Sequence, residues 1–276
     1  MTDKIKDNSY RNVLKGISVF GGVQVFQILI NLVRGKFVAM LLGPDGMGVS
    51  SIFTTSLNTL SRASSLGLNL AIVREVAEYK DKEDRLSELF AVLGKIITLT
   101  ALGGCLLCVL FSGLLSRVSF GSFDYSWQFI LLGVAIYFSV AGAGKLSMLQ
   151  GMHEVKRVAG GSLVGALAGL CAGIPFYYFF GDKGIVPAIV VLSLSTYLFY
   201  SINLKKAVRI QPQSIKLREH IPQIKRLILL GMVLLAGDLA GAACNYGVNI
   251  YLRYFGSLEI VGFYQAANSL TGQYAG

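Results

Sequence analysis

The 276 residues are 54% apolar and only 14% charged, with a mean hydropathy of +0.61. Soluble domains carry about 25% charged residues, so this chain could not coat a water-facing core, and its solvent is lipid. The net charge of +10 would suit nucleic acid, but the basic residues lie in short loops between apolar runs, as membrane topology requires, and no nucleic-acid partner is expected.

A spanning helix needs about 20 mostly apolar residues. The expected spans, in chain order, are Val13–Leu42, Val49–Val73, Leu89–Leu115, Trp127–Leu149, Ser162–Phe180, Ile185–Asn203 and Leu227–Tyr251. An eighth begins near Leu258 and is still running at Gly276, so further apolar segments are expected beyond that residue. The first run exceeds one crossing and contains Gly21, Gly22 and Gly35, which predicts tilt or a bend. Its basic flank is that of a signal peptide, but Gln24, Gln27 and Asn31 interrupt it and no cleavage site follows, so it reads as a first span. The fold class is all-α, a polytopic transmembrane helix bundle.

The loops alternate in charge. Lys4, Lys6, Arg11 and Lys15 precede the first span; Arg74, Lys80, Lys82 and Arg85 follow the second; Lys156 and Arg157 follow the fourth. The sixth loop, Leu204–Arg226, holds seven Lys and Arg against one acidic residue, Glu219, and is expected to form an amphipathic helix between Pro212 and Pro222 on an anionic leaflet. The remaining loops are short and poor in Lys and Arg, which places the N-terminus in the cytoplasm. Two of them, LGPDGMG at 42–48 and FGSLEIVG at 255–262, form a faint parallel repeat six helices apart.

Polar side chains in hydrocarbon are costly and face a bundle interior or water. Gln24, Gln27, Asn31 and Arg34 form one stripe at helical spacing; Thr55, Asn58, Arg62, Ser65 and Asn69 form a second. Asp238, Asn245 and Asn249 share a face of the seventh helix, with Arg253 near it, and Tyr264, Gln265, Asn268 and Gln273 follow in the eighth. Helices five and six are almost free of polar residues. The bland reading is interhelical hydrogen bonding. Arg62, placed mid-helix, resists it: either Asp238 pairs with it or it faces water and an anionic ligand. Arg34 and Arg253 lie near helix ends and could instead snorkel.

Asp238 is the one acidic residue inside a span, so the acidic cluster that a metal-dependent sugar-phosphate transferase would need is absent from the sequence. No Ser/His/Asp or Cys/His arrangement exists, and Cys105–Leu–Leu–Cys108 is embedded in an apolar run without a second pair. No enzyme, metal or cofactor is expected.

The basic N-terminus, LVRGKFVAMLLGPDGMGV across helices one and two, SLGLNLAIVREVAEY after them and GSLEIVGFYQAANSL across helices seven and eight form a recognisable set. In these segments the chain resembles the polysaccharide (O-antigen type) flippases of the multidrug/oligosaccharidyl-lipid/polysaccharide exporter superfamily. The resemblance implies two six-helix lobes around a cavity lined by helices one, two, seven and eight, working by alternating access. Residues 1–203 would then be the first lobe, 204–226 the cytoplasmic connection, and 227–276 the start of a second lobe otherwise missing.

Implied partners are the bilayer, an undecaprenyl-diphosphate-linked oligosaccharide and, further, polysaccharide assembly proteins. The implied location is the bacterial inner membrane, where the product would serve O-antigen or lipopolysaccharide synthesis. The positions suited to a cationic cavity are Arg34, Arg62 and Arg253, with Gln27, Asn31, Asn58, Asn245 and Asn249 as polar contacts. Asp238 would serve ion coupling or charge pairing. A cation-coupled drug exporter of the same superfamily, which would prefer a more acidic cavity, and a non-transporting membrane scaffold are the alternatives.

Overall fold

The computed structural model describes the backbone of residues 2–80, 83–207, 229, 231, 240, 241 and 243–275; within these, side chains 2–21, 24, 83, 84 and 269–275 are left aside. Among these residues the regular structure is helical throughout, with no strand. Four apolar stretches are long enough to cross a bilayer: Val25–Ser64, Arg85–Leu110, Ser126–Gly151 and Val155–Ala207, the first and last each being two helices joined by a turn. The chain is a multi-pass, all-α membrane protein.

The helical run Thr2–Ser64 breaks at Gly43 (φ 69°, ψ −174°). Only glycine reaches that backbone region without strain, and Pro44 behind it suits the first turn of a new helix. The arms are α1 (residues 2–42) and α2 (residues 44–64). The break at Gly43 falls in the turn expected at 42–48, between the first and second spans.

The second expected span, Val49–Val73, is corrected. It stops at Ser64, where Leu66 (φ 50°) and Gly67 (φ 66°) turn the chain through the left-handed region. The sequel is a separate amphipathic helix, α3 (Leu68–Tyr79), which buries Leu68, Ala71, Ile72 and Val76 and leaves Arg74 and Glu78 exposed. It lies over the end of α6 (Ser126–Gly151), where a Cβ on Gly151 would stand 2.7 Å from Val76 Cβ.

The third expected span, Leu89–Leu115, divides at Phe111 into α4 (Glu83–Leu110) and the short α5 (Ser112–Phe120), ended by a left-handed Gly121 whose N–H donates to the Arg117 carbonyl. Then follow α7 (Val155–Phe180), a tight turn at Gly181–Gly184 and α8 (Ile185–Ala207). Residues 243–255 form α9, and Leu258–Ala275 form α10. The amphipathic helix expected in Leu204–Arg226 falls almost entirely on residues outside the described set.

In the packed bundle α6 is central, touching α4 and α8, while α7 lies between α8 and the α1–α2 arms, and α10 lies against those arms. Helix α7 carries Gly161, Gly165, Gly169 and Gly173 at every fourth position, all buried. A Cβ at Gly165 would stand 2.8 Å from Thr196 Oγ1, and one at Gly169 would stand 2.6 Å from Leu192 Cδ1. The bare stripe lets α7 and α8 approach as small-residue motifs do in membranes.

Candidate functional site

The polar stripes read from the sequence converge on two neighbouring cavities. The first, about 350 Å³, is lined by Gln27, Asn31 and Arg34 of α1, Leu57 and Asn58 of α2, and residues of α6, α7 and α8. The second, about 370 Å³, lies between α2, α9 and α10, lined by Thr55, Asn58, Thr59, Arg62, Asn245, Asn249, Tyr264, Gln265 and Asn268 among others. Asn58 borders both, so they adjoin. Among the described residues, the charged lining residues are Arg34 in one and Arg62 in the other, and none of the lining residues carries a carboxylate.

Helix geometry sets the depth of these cations. At 1.5 Å per residue, Arg34 lies about 14 Å along α1 from the Gly43 break and Arg62 about 28 Å along α2. Because Gln27 and Asn31 share a cavity with Leu57 and Asn58, the arms run back alongside one another, and the two guanidiniums are staggered by about half a bilayer. No hydrogen bond or ion pair among the described residues engages either of them. The buried hydroxyl of Thr59, in the second cavity, also has no partner among them.

Arg62 is not mid-helix, as its position in an apolar run suggests. It sits in the last turn of α2 and is exposed. Water in the cavity mouth can therefore solvate it, and the cost of a buried unpaired cation does not arise. Asp238, its candidate partner, lies outside the described residues, as do the side chains of Gln24 and Gln273.

Two candidate residues, Asn249 and Arg253, take structural positions. Asn249 is buried, and its Nδ2 donates to Thr55 Oγ1 at 3.1 Å and to the Asn245 carbonyl at 3.1 Å, while Ser51 Oγ donates to its Oδ1 at 3.5 Å. Its amide ties α9 to α2. Asn245 is exposed to the second cavity, with Nδ2 3.3 Å from the Gly241 carbonyl.

Arg253 lines neither cavity; its Nη2 donates to the Phe120 carbonyl at 2.8 Å. Tyr246 Oη and Ser119 Oγ, 2.6 Å apart, and the Tyr254 hydroxyl on the Arg117 carbonyl at 3.2 Å complete a dock of α9 on α5. Under it, the Phe120 and Tyr125 rings stack at 4.0 Å against Phe53 and Phe129.

The two repeat turns also meet. A Cβ on Gly48 would run into the Leu258 carbonyl, and one on Gly262 into the Pro44 carbonyl. At the other end of α2, Gly67 lies equally close to the backbone of Gly231.

Sequence reading missed the wall of the first cavity. Ser162 and Gly165 of α7 and Ser193, Thr196 and Tyr200 of α8 line it, on helices that look nearly free of polar residues. The four-residue glycine period was the available signal.

The family model described as polysaccharide biosynthesis protein matches residues 13–274. The chain belongs to that family. It is 25% identical over 167 residues to the lipid III flippase of Escherichia coli (strain K12), a match covering 58% of this chain and 40% of that protein, and equally to the lipid III flippase of Shigella flexneri. The fold matches the MATE multidrug transporter DinF-BH, with TM-score 0.73 and 15% identity over 93% of this chain and 61% of that one. It also matches a MOP superfamily transporter from Pyrococcus furiosus, with TM-score 0.60 and 18% identity over 94% of this chain and 62% of that one. The chain thus spans 40% of the length of the curated relatives and 61–62% of that of the solved transporters.

Proposed function

We propose that this chain carries the first half of a flippase that moves a polyprenyl-diphosphate-linked oligosaccharide across the bacterial inner membrane. The observation that carries this reading is the pair of adjoining cavities whose charged lining residues, among those described, are Arg34 and Arg62, with no described carboxylate beside them. A diphosphate is the anion such cavities suit, because guanidinium matches phosphate oxygens bidentately. Sugars are complemented by the amides of Gln27, Asn31, Asn58, Asn245 and Gln265. The cavity volumes fall within the range of small-molecule sites, about 300–1,000 Å³, unlike the dry helix contacts of a scaffold.

The end bearing Arg74, Lys80, Lys156, Arg157, Lys205 and Lys206 is taken as cytoplasmic, since Lys and Arg flank spans on that side. The diphosphate then meets Arg62 at the cytoplasmic mouth and passes to Arg34 deeper in the bundle, while the undecaprenyl-type tail stays in lipid. Carrying negative charge outward is favoured by about 2.3 kcal/mol per charge for each 100 mV of inside-negative potential. Helices α1–α8 form the first lobe, and α9 and α10 begin the second, so transport belongs to a chain with both lobes. Proteins that assemble the polysaccharide are the partners that receive the flipped product. A cation-coupled drug exporter needs a carboxylate in its cavity, and among the described residues neither cavity has one.

The test is deletion in the native host and complementation with Arg34→Glu, Arg62→Glu variants of the natural protein. Loss of surface polysaccharide, with lipid-linked oligosaccharide accumulating on the cytoplasmic leaflet, is expected. Normal surface polysaccharide in the deletion strain, with raised drug sensitivity instead, overturns the reading.

A further inference from the structure

A third cavity, about 270 Å³, lies on another face of α6, between α4 and α8. It shares no lining residue with the two central cavities. Its charged lining residues are Lys145 and Lys205, and neither forms an ion pair with a described residue. Lys145 is half-buried and fixed: its Nζ donates to Ser201 Oγ at 2.6 Å and stands 3.8 Å from the centre of the Tyr197 ring. Ser201 in turn donates to the Tyr197 carbonyl at 2.6 Å. An ammonium has three donors, so this arrangement leaves at least one N–H for a ligand.

Depth identifies the ligand. Lys145 lies six residues, about 9 Å, from the end of α6 at Gly151, and Lys205 lies in the last turn of α8. Both ends belong to the face with the basic loops. The cavity therefore opens at the level where phospholipid phosphates meet hydrocarbon. Phe90, Ile97, Met148 and Leu204 give it apolar walls, and Leu198 and Ile202, each about half exposed beside it on α8, continue that surface toward the membrane interior. A free phosphate has no use for such walls; a headgroup with acyl chains attached does. Basic pockets between transmembrane helices at this depth suit anionic headgroups.

We propose that this cavity is a binding site for one anionic glycerophospholipid of the adjacent leaflet, its phosphate held between Lys145 and Lys205 and its acyl chains lying along α8. The site is separate from the proposed path of the oligosaccharide, and its occupancy does not depend on whether the protein flips that substrate.

Native mass spectrometry of the purified protein, titrated with phosphatidylglycerol, reads this directly. Two lysines near an anionic surface set the scale: Lys145→Gln with Lys205→Gln is expected to weaken the tightest phosphatidylglycerol binding about thirtyfold, and Lys205→Gln alone about fivefold. The single variant changes an exposed side chain, so it reports even where the double variant folds poorly. Lys206→Gln, a neighbouring lysine that does not line the cavity, is expected to leave the binding intact. Equal binding to wild type and Lys205→Gln, or equal loss in Lys206→Gln, overturns the site. Phosphatidylethanolamine binding as tightly as phosphatidylglycerol overturns the anionic preference, and displacement by equimolar inorganic phosphate overturns the lipid assignment.

Discussion

At Arg62 the exposure and the chemistry of the surroundings agree. The side chain ends α2, faces the second cavity and has no partner among the described residues. Arg62→Lys is expected to keep partial export, because a point charge still attracts phosphate once bidentate geometry is lost. Arg62→Ala is expected to abolish export while the protein accumulates normally. A pair with Asp238 predicts another pattern: Arg62→Ala lowers protein abundance, and adding Asp238→Ala restores it. Surface polysaccharide and protein level measured together separate the two, and normal export from Arg62→Ala excludes both.

Asp182, in the turn between α7 and α8, behaves differently. Burial, and then the neighbouring Asp45, push its carboxyl above the ordinary 3.8. A carboxyl raised in the folded state contributes stability that is full below 3.8 and is lost as pH rises through the raised value. Asp182→Asn is therefore expected to raise Tm at pH 7 and to leave it unchanged at pH 3. A lower Tm for Asp182→Asn at pH 7 refutes that account.

At the scale of elements, the glycine stripe of α7 decides the packing. A Cβ at Gly165 would already stand 2.8 Å from Thr196 Oγ1, closer than side chains tolerate, and valine adds two methyl groups there. Gly165→Val is expected to cost about 1–3 kcal/mol by overpacking, read as a lower Tm in detergent. Leu167→Ala, on the lipid-facing side of the same helix, is expected to leave Tm within error. Equal Tm values for both variants would show that α7 and α8 do not need their close approach.

The same scale shows what was legible in the sequence. Length and apolarity located the helices, because a bilayer demands about 20 apolar residues whatever their neighbours. The break at Phe111 was missed because it lies in an apolar run with no proline or charge beside it, and the one at Leu66 because Arg62, Ser65 and Asn69 continue a helical polar spacing across it. Gly67 and the Ser64–Ser65 pair were the available signs there. The polar stripes of α1 and α2 were legible because helical periodicity alone puts them on one face. The role of Arg253 was not, since its partner, the Phe120 carbonyl, lies 133 residues away in sequence.

In the whole molecule, α2 touches the second group of helices at both of its ends, and the cavities lie between. At the short-loop end the contact is Gly48 on Leu258, Gly262 on Pro44, and the Ser51–Asn249–Thr55 bonds; at the basic end it is Gly67 on Gly231. Passage of a sugar through either end requires that contact to part. Alternating access requires that both do, in turn.

The short-loop contact is the one to lock, because it sits where side chains already meet. Ser51→Cys with Asn249→Cys, in a background with Cys105, Cys108, Cys171 and Cys244 replaced by alanine, places two thiols within reach of a short bifunctional thiol reagent. Oxidation or cross-linking is expected to reduce export more than about tenfold, since a covalent bond removes the open state from the equilibrium rather than shifting its population. Reduction is expected to restore the level of the uncross-linked double variant, which controls for the lost asparagine bonds. Full export by a protein shown to be cross-linked would mean that the sugar leaves by a route that does not separate α2 from α9.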